Sequence, residues 1–377
     1  MSITEEQREF QLAVREFVES EVRPVIGDHY ERGEFPAELV RKLGELGVAG
    51  VMLPEEYGGA GMDLLTFCLA LEEIAKVDSG LATTLEASAT LGAEGIALFG
   101  TEDQKKRWLP RLASGEGLCA FGLTEPGGGT DAGHTETRAE LVDGEWVING
   151  AKCFITNSGT EMTDLIVVTA TTGPGEVSTI IVPNGTPGLS VGPLYSKVGW
   201  HTSDTRPVFL DDCRVPEENL LGPRGKGLGQ FLNLLARGRV AIAAIATGLA
   251  QGCVDESLAQ ANDREAFGKA IGNYQSIAFM LADMKLRAHT SRLAYLDAAT
   301  MDLESKEFIA AAAMAKLHAS DAAVQNAREG TQIFGGYGFM NETLVARHWR
   351  DCKILEIGEG TNEVQRMLIA RSMGLNG

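Results

Sequence analysis

The sequence predicts an α+β protein in three parts: an N-terminal helical domain, a middle antiparallel β-barrel or sandwich domain, and a C-terminal four-helix bundle. Apolar residues recur at helical spacing in residues 1–118 and 224–377, whereas residues 119–223 hold short β-branched runs separated by Gly, Pro and Asn. Strands and helices do not alternate, which argues against a Rossmann domain. A chain of 377 residues suits two or three domains.

The N-terminal domain is expected to begin with a capped helix. Thr4 carries a hydroxyl that can accept from first-turn N–H groups, and Glu5 and Glu6 suit the positive start of a helix. Pro36 predicts the start of a second helix, because its fixed φ suits the first helical turn. Further helical runs are predicted over residues 63–76, 81–99 and 103–112.

The middle domain is expected to be built from short strands and tight turns. Asp143-Gly144 separates the apolar runs 139–142 and 146–148, which predicts a β-hairpin. Asn149-Gly150 follows at once and predicts another turn. Further strands are predicted over residues 165–169, 179–182 and 208–210.

The C-terminal part is expected to be a bundle of long helices. Residues 231–261, 276–301 and 306–333 keep a helical apolar period, and the alanines in 310–313 favour helix. These lengths suit a four-helix-type bundle.

The composition excludes several classes of function. The chain has 52 acidic and 33 basic residues, a net charge of −19, so it would repel nucleic-acid phosphates and anionic lipid. The N-terminus lacks the pattern of a signal or transit peptide, and the longest uncharged apolar stretch, residues 240–250, is too short to span a bilayer. We therefore expect a cytoplasmic protein without a membrane span.

The cysteines and histidines give no sign of a metal site. The six cysteines are scattered without a C-x-x-C pair, and the six histidines form no H-x-x-x-H pair. We therefore expect reduced core thiols, as in a cytoplasmic protein, and no structural metal.

Two glycine-rich segments fail as phosphate-binding motifs. The segment 225–229 lacks the glycine spacing of a P-loop, and Gly227 stands where magnesium binding needs Ser or Thr. The segment 335–338 lacks the third glycine of a dinucleotide fingerprint and follows a predicted helix instead of a strand.

Two other segments are more informative. The run from Phe121 to Asp131 holds three successive glycines with threonines on both sides, a composition that lets a backbone approach a flat polar ligand closely, although a flexible loop is an equal alternative. Glu359 stands between two glycines after an apolar run, where a carboxylate is costly to bury unless it is neutralised or used. The alternative role for Glu359 is to cap a helix beginning near Thr361.

Taken together, these segments resemble the acyl-CoA dehydrogenase family over essentially the whole chain. Residues 122–131 are similar to the family's flavin-loop signature, and residues 332–351 to its C-terminal signature. Phe267-Gly268, with Arg264 before it and Gln275 after it, is similar to a third stretch that contacts FAD. The family's fold has the same helical, β, helical order.

The resemblance implies a set of FAD contacts. The flavin ring would lie against the 121–131 loop and against an aromatic–hydroxyl pair on one strand, with Phe154 where many relatives have Trp. The pyrophosphate and adenosine would be held by later residues, partly from a neighbouring subunit. The residues so assigned are Phe121, Leu123, Thr124, Gly129, Thr130, Phe154, Thr156, Arg264, Phe267, Gln275, Gln332, Gly335, Gly336, Thr361 and Glu363.

The resemblance also implies the reaction, α,β-dehydrogenation of a fatty or branched acyl-CoA. Glu359 falls on the family's usual catalytic-base position, and no carboxylate replaces it near Gly238, where some relatives carry the base. The residues assigned to the substrate are Thr130, Arg239, Gly358, Gly360 and Glu86. Gly358, often Tyr in the family, would widen the acyl pocket.

The expected partners follow from the same resemblance. They are the acyl-CoA substrate, an electron-transfer flavoprotein as acceptor, and further copies of the chain in a homotetramer. An acyl-CoA oxidase of the same fold and a catalytically inert acyl-CoA-binding relative are the alternatives.

Overall fold

A computed structural model describes residues 3–375, which begin with a layer of helices. Thr4 caps the first helix through a capping box with Gln7, as predicted. Pro36 stands directly before the third. The N-terminal helices are α1 (Glu5–Phe17), α2 (Ile26–Arg32), α3 (Ala37–Glu45), α4 (Leu64–Ala75), α5 (Ser79–Glu86), α6 (Glu94–Phe99) and α7 (Glu102–Ser114).

Two π-helical segments depart from the expected pattern. They are Val18–Val22 and Ala87–Ala93, and the second divides the single helix predicted over residues 81–99 into α5 and α6. A π turn shifts the helical register by one residue. The sequence could not reveal this shift, because nearly every residue from 81 to 96 is buried and the apolar period is lost.

The middle of the chain forms one eight-stranded sheet. Its strands are β1 (Leu118–Gly122), β2 (Arg138–Val142), β3 (Glu145–Thr156), β4 (Thr163–Gly173), β5 (Glu176–Pro183), β6 (Leu189–Val191), β7 (Thr205–Pro216) and β8 (Leu220–Leu221). The order is β6-β7-β3-β2-β4-β5-β8, with β1 alongside β4. The predicted β2–β3 hairpin is confirmed.

The sheet differs from the sequence prediction in two details. It is mixed and not wholly antiparallel, because β1 enters from the N-terminal helices and runs parallel to β4. Asn149-Gly150 is not a turn: β3 continues through it, and its pairing with β7 shifts register between Ile148 and Gly150. Such an irregularity absorbs a residue and bends the strand without ending it.

The C-terminal part is helical, as predicted. Its elements are α8 (Gly227–Asp263), the short hairpin of β9 (Glu265–Ala266) and β10 (Lys269–Ala270), α9 (Gln275–Ala299), α10 (Lys306–Phe334), α11 (Leu344–Leu355) and α12 (Asn362–Ser372). Among residues 3–375, α8 is the one helix long and apolar enough to cross a membrane, but 83% of its most apolar window is buried inside the protein.

The helices before and after the sheet share a single core. One apolar cluster joins Phe67 of α4, Ile245 of α8 and Ala319 of α10. A second cluster, which includes Trp146 and Ile148, fills one face of the sheet. The boundaries at residues 118/119 and 223/224 stay a prediction, because helices on both sides of the sheet contribute to the same core.

Candidate active site

The loop between α11 and α12 carries a glutamate in a left-handed conformation. Glu359, with a φ of 57°, lies between Gly358 and Gly360. This region is unfavourable for a residue with a side chain, so surrounding contacts must hold it. The Glu359 carbonyl oxygen accepts hydrogen bonds from Arg239 Nε at 3.3 Å and Gln365 Nε2 at 3.4 Å. These bonds fix the loop to α8 and α12.

A buried lysine of α10 holds the next residue of the loop. Lys316 is 0% exposed, and its Nζ donates to the Gly360 carbonyl and to Asn362 Oδ1, both at 3.0 Å. Gln365 Nε2 also donates to the Gly360 carbonyl, at 2.7 Å. The sequence analysis missed Lys316 and Gln365. The available signal was a lysine inside the alanine-rich stretch 311–319, whose neighbours are mostly buried.

The Glu359 carboxylate lies against the backbone of α8. A Cβ added at Gly238 would stand 3.0 Å from Glu359 Cδ, so the missing side chain makes room for the carboxylate. The residue as a whole is partly exposed, but its Oε2 atom is buried and has no hydrogen-bond partner. Burial raises the pKa of Glu359 to about 7, against the lowering effect of Arg239 and Lys316. A pKa near neutrality suits a general base.

A second buried carboxylate, Glu86, stands at the end of α5. The residue is 1% exposed, and its Oε1 accepts a hydrogen bond from Thr90 Oγ1 at 2.6 Å. Burial raises the pKa of Glu86 well above its usual range, and the charge of Glu359 raises it further. Both effects disfavour the charged form of Glu86 beside Glu359.

Glu359 does not cap α12. Thr361 is the N-cap, and its hydroxyl accepts from the Val364 N–H at 3.4 Å. Glu363 lies exposed in the first turn, where its own backbone N–H and the Thr361 side chain lower the pKa of its carboxyl. The helix start is thus satisfied without Glu359.

On the sheet side, the structure brings together the aromatic residues and the glycine loop. Phe154, with a φ of 61°, is 65% exposed and lies 5.3 Å from the Tyr195 ring. The backbone N–H of Cys153, directly before it, donates to the Thr124 carbonyl at 2.9 Å. The Phe121 ring stacks on Phe231 of α8 at 5.0 Å.

The other residues predicted to contact the flavin lie on the 121–131 loop and on β3. A Cβ at Gly129 would stand 3.2 Å from Thr124 Cγ2, so the loop folds tightly on itself there. Leu123 accepts from Lys152 of β3 through its carbonyl oxygen. Thr130 is exposed on the loop, and Thr156 is partly exposed on β3.

A third group of predicted cofactor-binding residues lies at the C-terminal ends of α8 and α10. Arg264, Gly335 and Gly336 line a groove of about 530 Å³, together with Gln260 and Tyr337. Three other residues assigned to this region are exposed but do not line the groove: Phe267, Gln275 and Gln332. Within one chain the residues predicted for the adenosine side are therefore only partly brought together.

The remaining reactive side chains form no further centre. All six cysteines are buried and free. Among residues 3–375, no group of three or more His, Cys, Asp or Glu side chains is placed to hold a metal ion.

The sequence matches three consecutive domains of one protein family. Residues 4–116 match the acyl-CoA dehydrogenase N-terminal domain, residues 120–213 the middle domain, and residues 225–374 the C-terminal domain. Together these matches cover most of the chain.

Individual relatives agree with this match over their full length. The "Probable acyl-CoA dehydrogenase YngJ" of Bacillus subtilis is 44% identical over 376 residues, covering 98% of each chain. The structure of butyryl-CoA dehydrogenase from Megasphaera elsdenii has a TM-score of 0.95 at 40% identity, covering 99% of each chain. A chain from the structural work on the electron transferring flavoprotein of Acidaminococcus fermentans has a TM-score of 0.96 at 40% identity, with 99% of each chain covered. The chain therefore belongs to the acyl-CoA dehydrogenase family.

Proposed function

We propose that this protein oxidises the Cα–Cβ bond of a fatty or branched acyl-CoA thioester to the trans-2-enoyl-CoA, with Glu359 removing the α-proton. The observation that carries the proposal is the Glu359 carboxylate, whose Oε2 is buried without a partner and whose pKa is raised to about 7 by burial. The α-proton of a thioester is weakly acidic, so its removal needs such a base and donors that stabilise the charge on the thioester oxygen. The Glu359 N–H is assigned as one donor.

FAD is the cofactor, and when bound it supplies the acceptor for the hydride that leaves Cβ. The exposed surfaces of this chain fit such a group: the Phe154 and Phe267 rings, 65% and 98% exposed, present apolar faces against which a flavin or adenine ring would pack. A Cβ at Gly127 would press on the Glu136 carboxylate and one at Gly129 on Thr124 Cγ2, so glycines spare the loop both contacts.

Four residues of the chain act together when the α-proton of the substrate is removed. Glu359 takes the α-proton on its carboxylate, while Arg239 and Lys316 hold the loop and favour the ionised form. Burial and the charge of Glu359 both disfavour the ionised form of Glu86, which limits the negative charge beside the proposed base. Because the α-proton and the hydride leave from opposite faces of the Cα–Cβ bond, Glu359 and the flavin must lie on opposite sides of the acyl chain.

The acyl group is assigned from the space at Gly358. A Cβ there would meet only the Ile354 carbonyl, at 3.5 Å, so a side chain would fit and its absence leaves room for substrate. Branched and short acyl groups are therefore the substrates to test first, and the butyryl-CoA dehydrogenase relative supports the short ones.

Assembly into a homotetramer is proposed from the exposed face of α9. Phe279, Leu286 and Leu293 are 60%, 58% and 53% exposed and recur every seven residues, so they form one apolar stripe along the helix. A second copy covering this stripe would also bring protein to the open groove at Arg264 and complete the adenosine side.

An electron-transfer flavoprotein is proposed as the electron acceptor, and the cytoplasm as the compartment. The similarity to a chain studied with an electron transferring flavoprotein supports the acceptor. Six buried, free cysteines support a reducing compartment.

The test is anaerobic reduction of the bound flavin by a panel of acyl-CoA thioesters. Loss of the flavin's visible absorbance with at least one saturated acyl-CoA, with formation of its 2-enoyl product, is expected. Repetition in air separates a dehydrogenase from an oxidase, because only the oxidase would turn over rapidly with oxygen and release peroxide. A purified protein that binds no flavin would contradict the proposal and favour the inert alternative.

Replacement of Gly358 tests whether this residue shapes the acyl pocket. Gly358→Tyr should lower kcat/KM for branched acyl-CoA more than for a straight chain of equal length, because the ring would narrow the pocket. Gly358→Ala is the control and should change this ratio little. An unaltered substrate profile in Gly358→Tyr would show that the residue does not shape the pocket.

A further inference from the structure

A buried ion pair lies directly behind the glycine loop, outside the residues used so far. Lys152 of β3 and Glu125 of the loop have side chains 0% and 4% exposed, and Lys152 Nζ stands 2.6 Å from Glu125 Oε1. Burial of two charges in the interior is costly even when they are paired. A pair in this position therefore calls for a role beyond stability.

The Glu125 carboxylate joins the two ends of the loop. Its Oε1 accepts from the Thr137 N–H at 3.0 Å, and its Oε2 accepts from the Glu136 N–H at 2.6 Å. Glu125 and Glu136, eleven positions apart in the sequence, are thereby joined by one side chain. Thr137 leads directly into β2, so the closed loop is anchored to the sheet.

Lys152 connects the same carboxylate to the sheet. Besides Glu125, its Nζ donates to the Leu123 carbonyl and to Thr169 Oγ1 of β4, both at 3.2 Å. The next residue, Cys153, donates its N–H to the Thr124 carbonyl at 2.9 Å. These bonds turn the carbonyls of 123 and 124 towards β3, so the open side of the loop is left to its N–H groups and hydroxyls.

We propose that Lys152 and Glu125 are positioning residues that hold the 121–131 loop in the shape required to bind FAD. Neither side chain is accessible to a ligand, so both act through the loop backbone. The inference rests on the proposed function, because the loop's contact with FAD is part of that proposal.

Stability and positioning can be separated with a double variant. Replacing both members of a buried pair by apolar residues is often neutral for stability, whereas removing one leaves an unpaired charge. In Lys152→Met/Glu125→Leu no unpaired charge remains, so we expect the thermal midpoint of the FAD-free protein to fall less than in either single variant. FAD affinity is expected to fall about tenfold or more, because the bonds to 123, 136 and 137 are gone.

The measurements are made on the full-length purified protein. They are the FAD dissociation constant, the thermal midpoint and hydrogen exchange of the loop amides. Faster exchange at Gly127–Gly129, with a smaller loss of thermal stability than in Lys152→Met or Glu125→Leu alone, is the signature expected of a positioning role. Arg214→Met, which breaks the exposed Arg214–Glu145 pair in the same sheet, is the control and should change none of the three.

Lys152→Arg covers the case in which the double variant does not fold. It keeps the charge but not the geometry, so it should fold and lose FAD affinity several-fold. Unchanged FAD affinity and loop exchange in a folded variant would overturn the positioning role. A wild-type protein that binds no FAD at all would instead overturn the proposed function, so the two failures are distinguishable.

Discussion

At the scale of single residues, the local environment of Glu359 decides whether it can act as a base. Its pKa reflects two opposed effects, burial that raises it and the charges of Arg239 and Lys316 that lower it. Burial is the larger effect, so the pKa of Glu359 lies near 7. Both protonation states are therefore populated at physiological pH.

Removal of the proton acceptor should abolish most of the activity. Glu359→Gln keeps the size of the side chain and leaves the proposed FAD contacts untouched, so the protein should still bind flavin. The rate of flavin reduction by acyl-CoA should fall by about 10²–10⁴-fold, the usual contribution of a general base. Anaerobic stopped-flow absorbance measures this rate, and reduction at near wild-type speed would contradict the assignment.

The same variant should also alter stability in a pH-dependent way. The pKa of Glu359 rises from 4.5 to about 7 in the folded protein, so the folded state binds an extra proton between these values. The stability that this proton provides is present below pH 4.5 and lost as the pH rises through 7. Glu359→Gln should therefore melt at a higher temperature than the wild type at pH 8, and this advantage should shrink at pH 5.

Loss of the buried lysine should move the pH profile. Lys316 lowers the pKa of Glu359, so Lys316→Met should raise it and leave fewer molecules ionised at a given pH. Single-turnover flavin reduction should fall several-fold below pH 7 and recover as the pH increases. Lys353→Met, at a 67% exposed side chain on α11, is the control, and an identical profile in both variants would refute the role of Lys316.

At the scale of elements, α8 supplies the surface against which the Glu359 carboxylate lies. Gly238 is the position where the helix backbone meets the Glu359 carboxylate, and Arg239 bonds the same loop from the next residue. A helix gives a rigid support, so small changes at this contact should affect the chemistry more than the stability.

A methyl group on α8 should displace the base. In Gly238→Ala the new Cβ would crowd the carboxylate, so we expect flavin reduction to slow at least about tenfold, as misplacement of a catalytic group by 1 Å can cost more. Gly229→Ala on the same helix is the control, because a Cβ there meets nothing within 4 Å. Both variants gain helix propensity, so equal activity in the two would exclude a steric effect at 238.

At the scale of the whole molecule, the exposed apolar stripe on α9 should govern assembly. Leu286→Glu places a charge in the middle of the stripe and should reduce the size of the assembly in sedimentation, with a parallel loss of bound FAD. Leu141→Glu, on a 40% exposed leucine of β2, is the control. Retention of both assembly and flavin in Leu286→Glu would place the subunit contact elsewhere.

Much of the fold was readable from local chemistry. Thr4, Asp143-Gly144 and the long alanine-rich helices act through neighbouring residues only, so their patterns predict structure directly. Asn149-Gly150 was read wrongly as a turn because the same dipeptide also suits an irregularity inside a strand, and only pairing with β7 decides between the two.

By itself, the sequence determined the order of helical and β segments and singled out Glu359 as the candidate base. Glu359 follows an apolar run and lies between glycines, and these are local features. Only the tertiary structure decided which ionisable groups surround it: Lys316 on α10, Arg239 on α8 and Glu86 on α5 come from separate parts of the chain. Burial and charge proximity depend on packing between distant segments, so the near-neutral pKa of Glu359 could not be read from the residues around it.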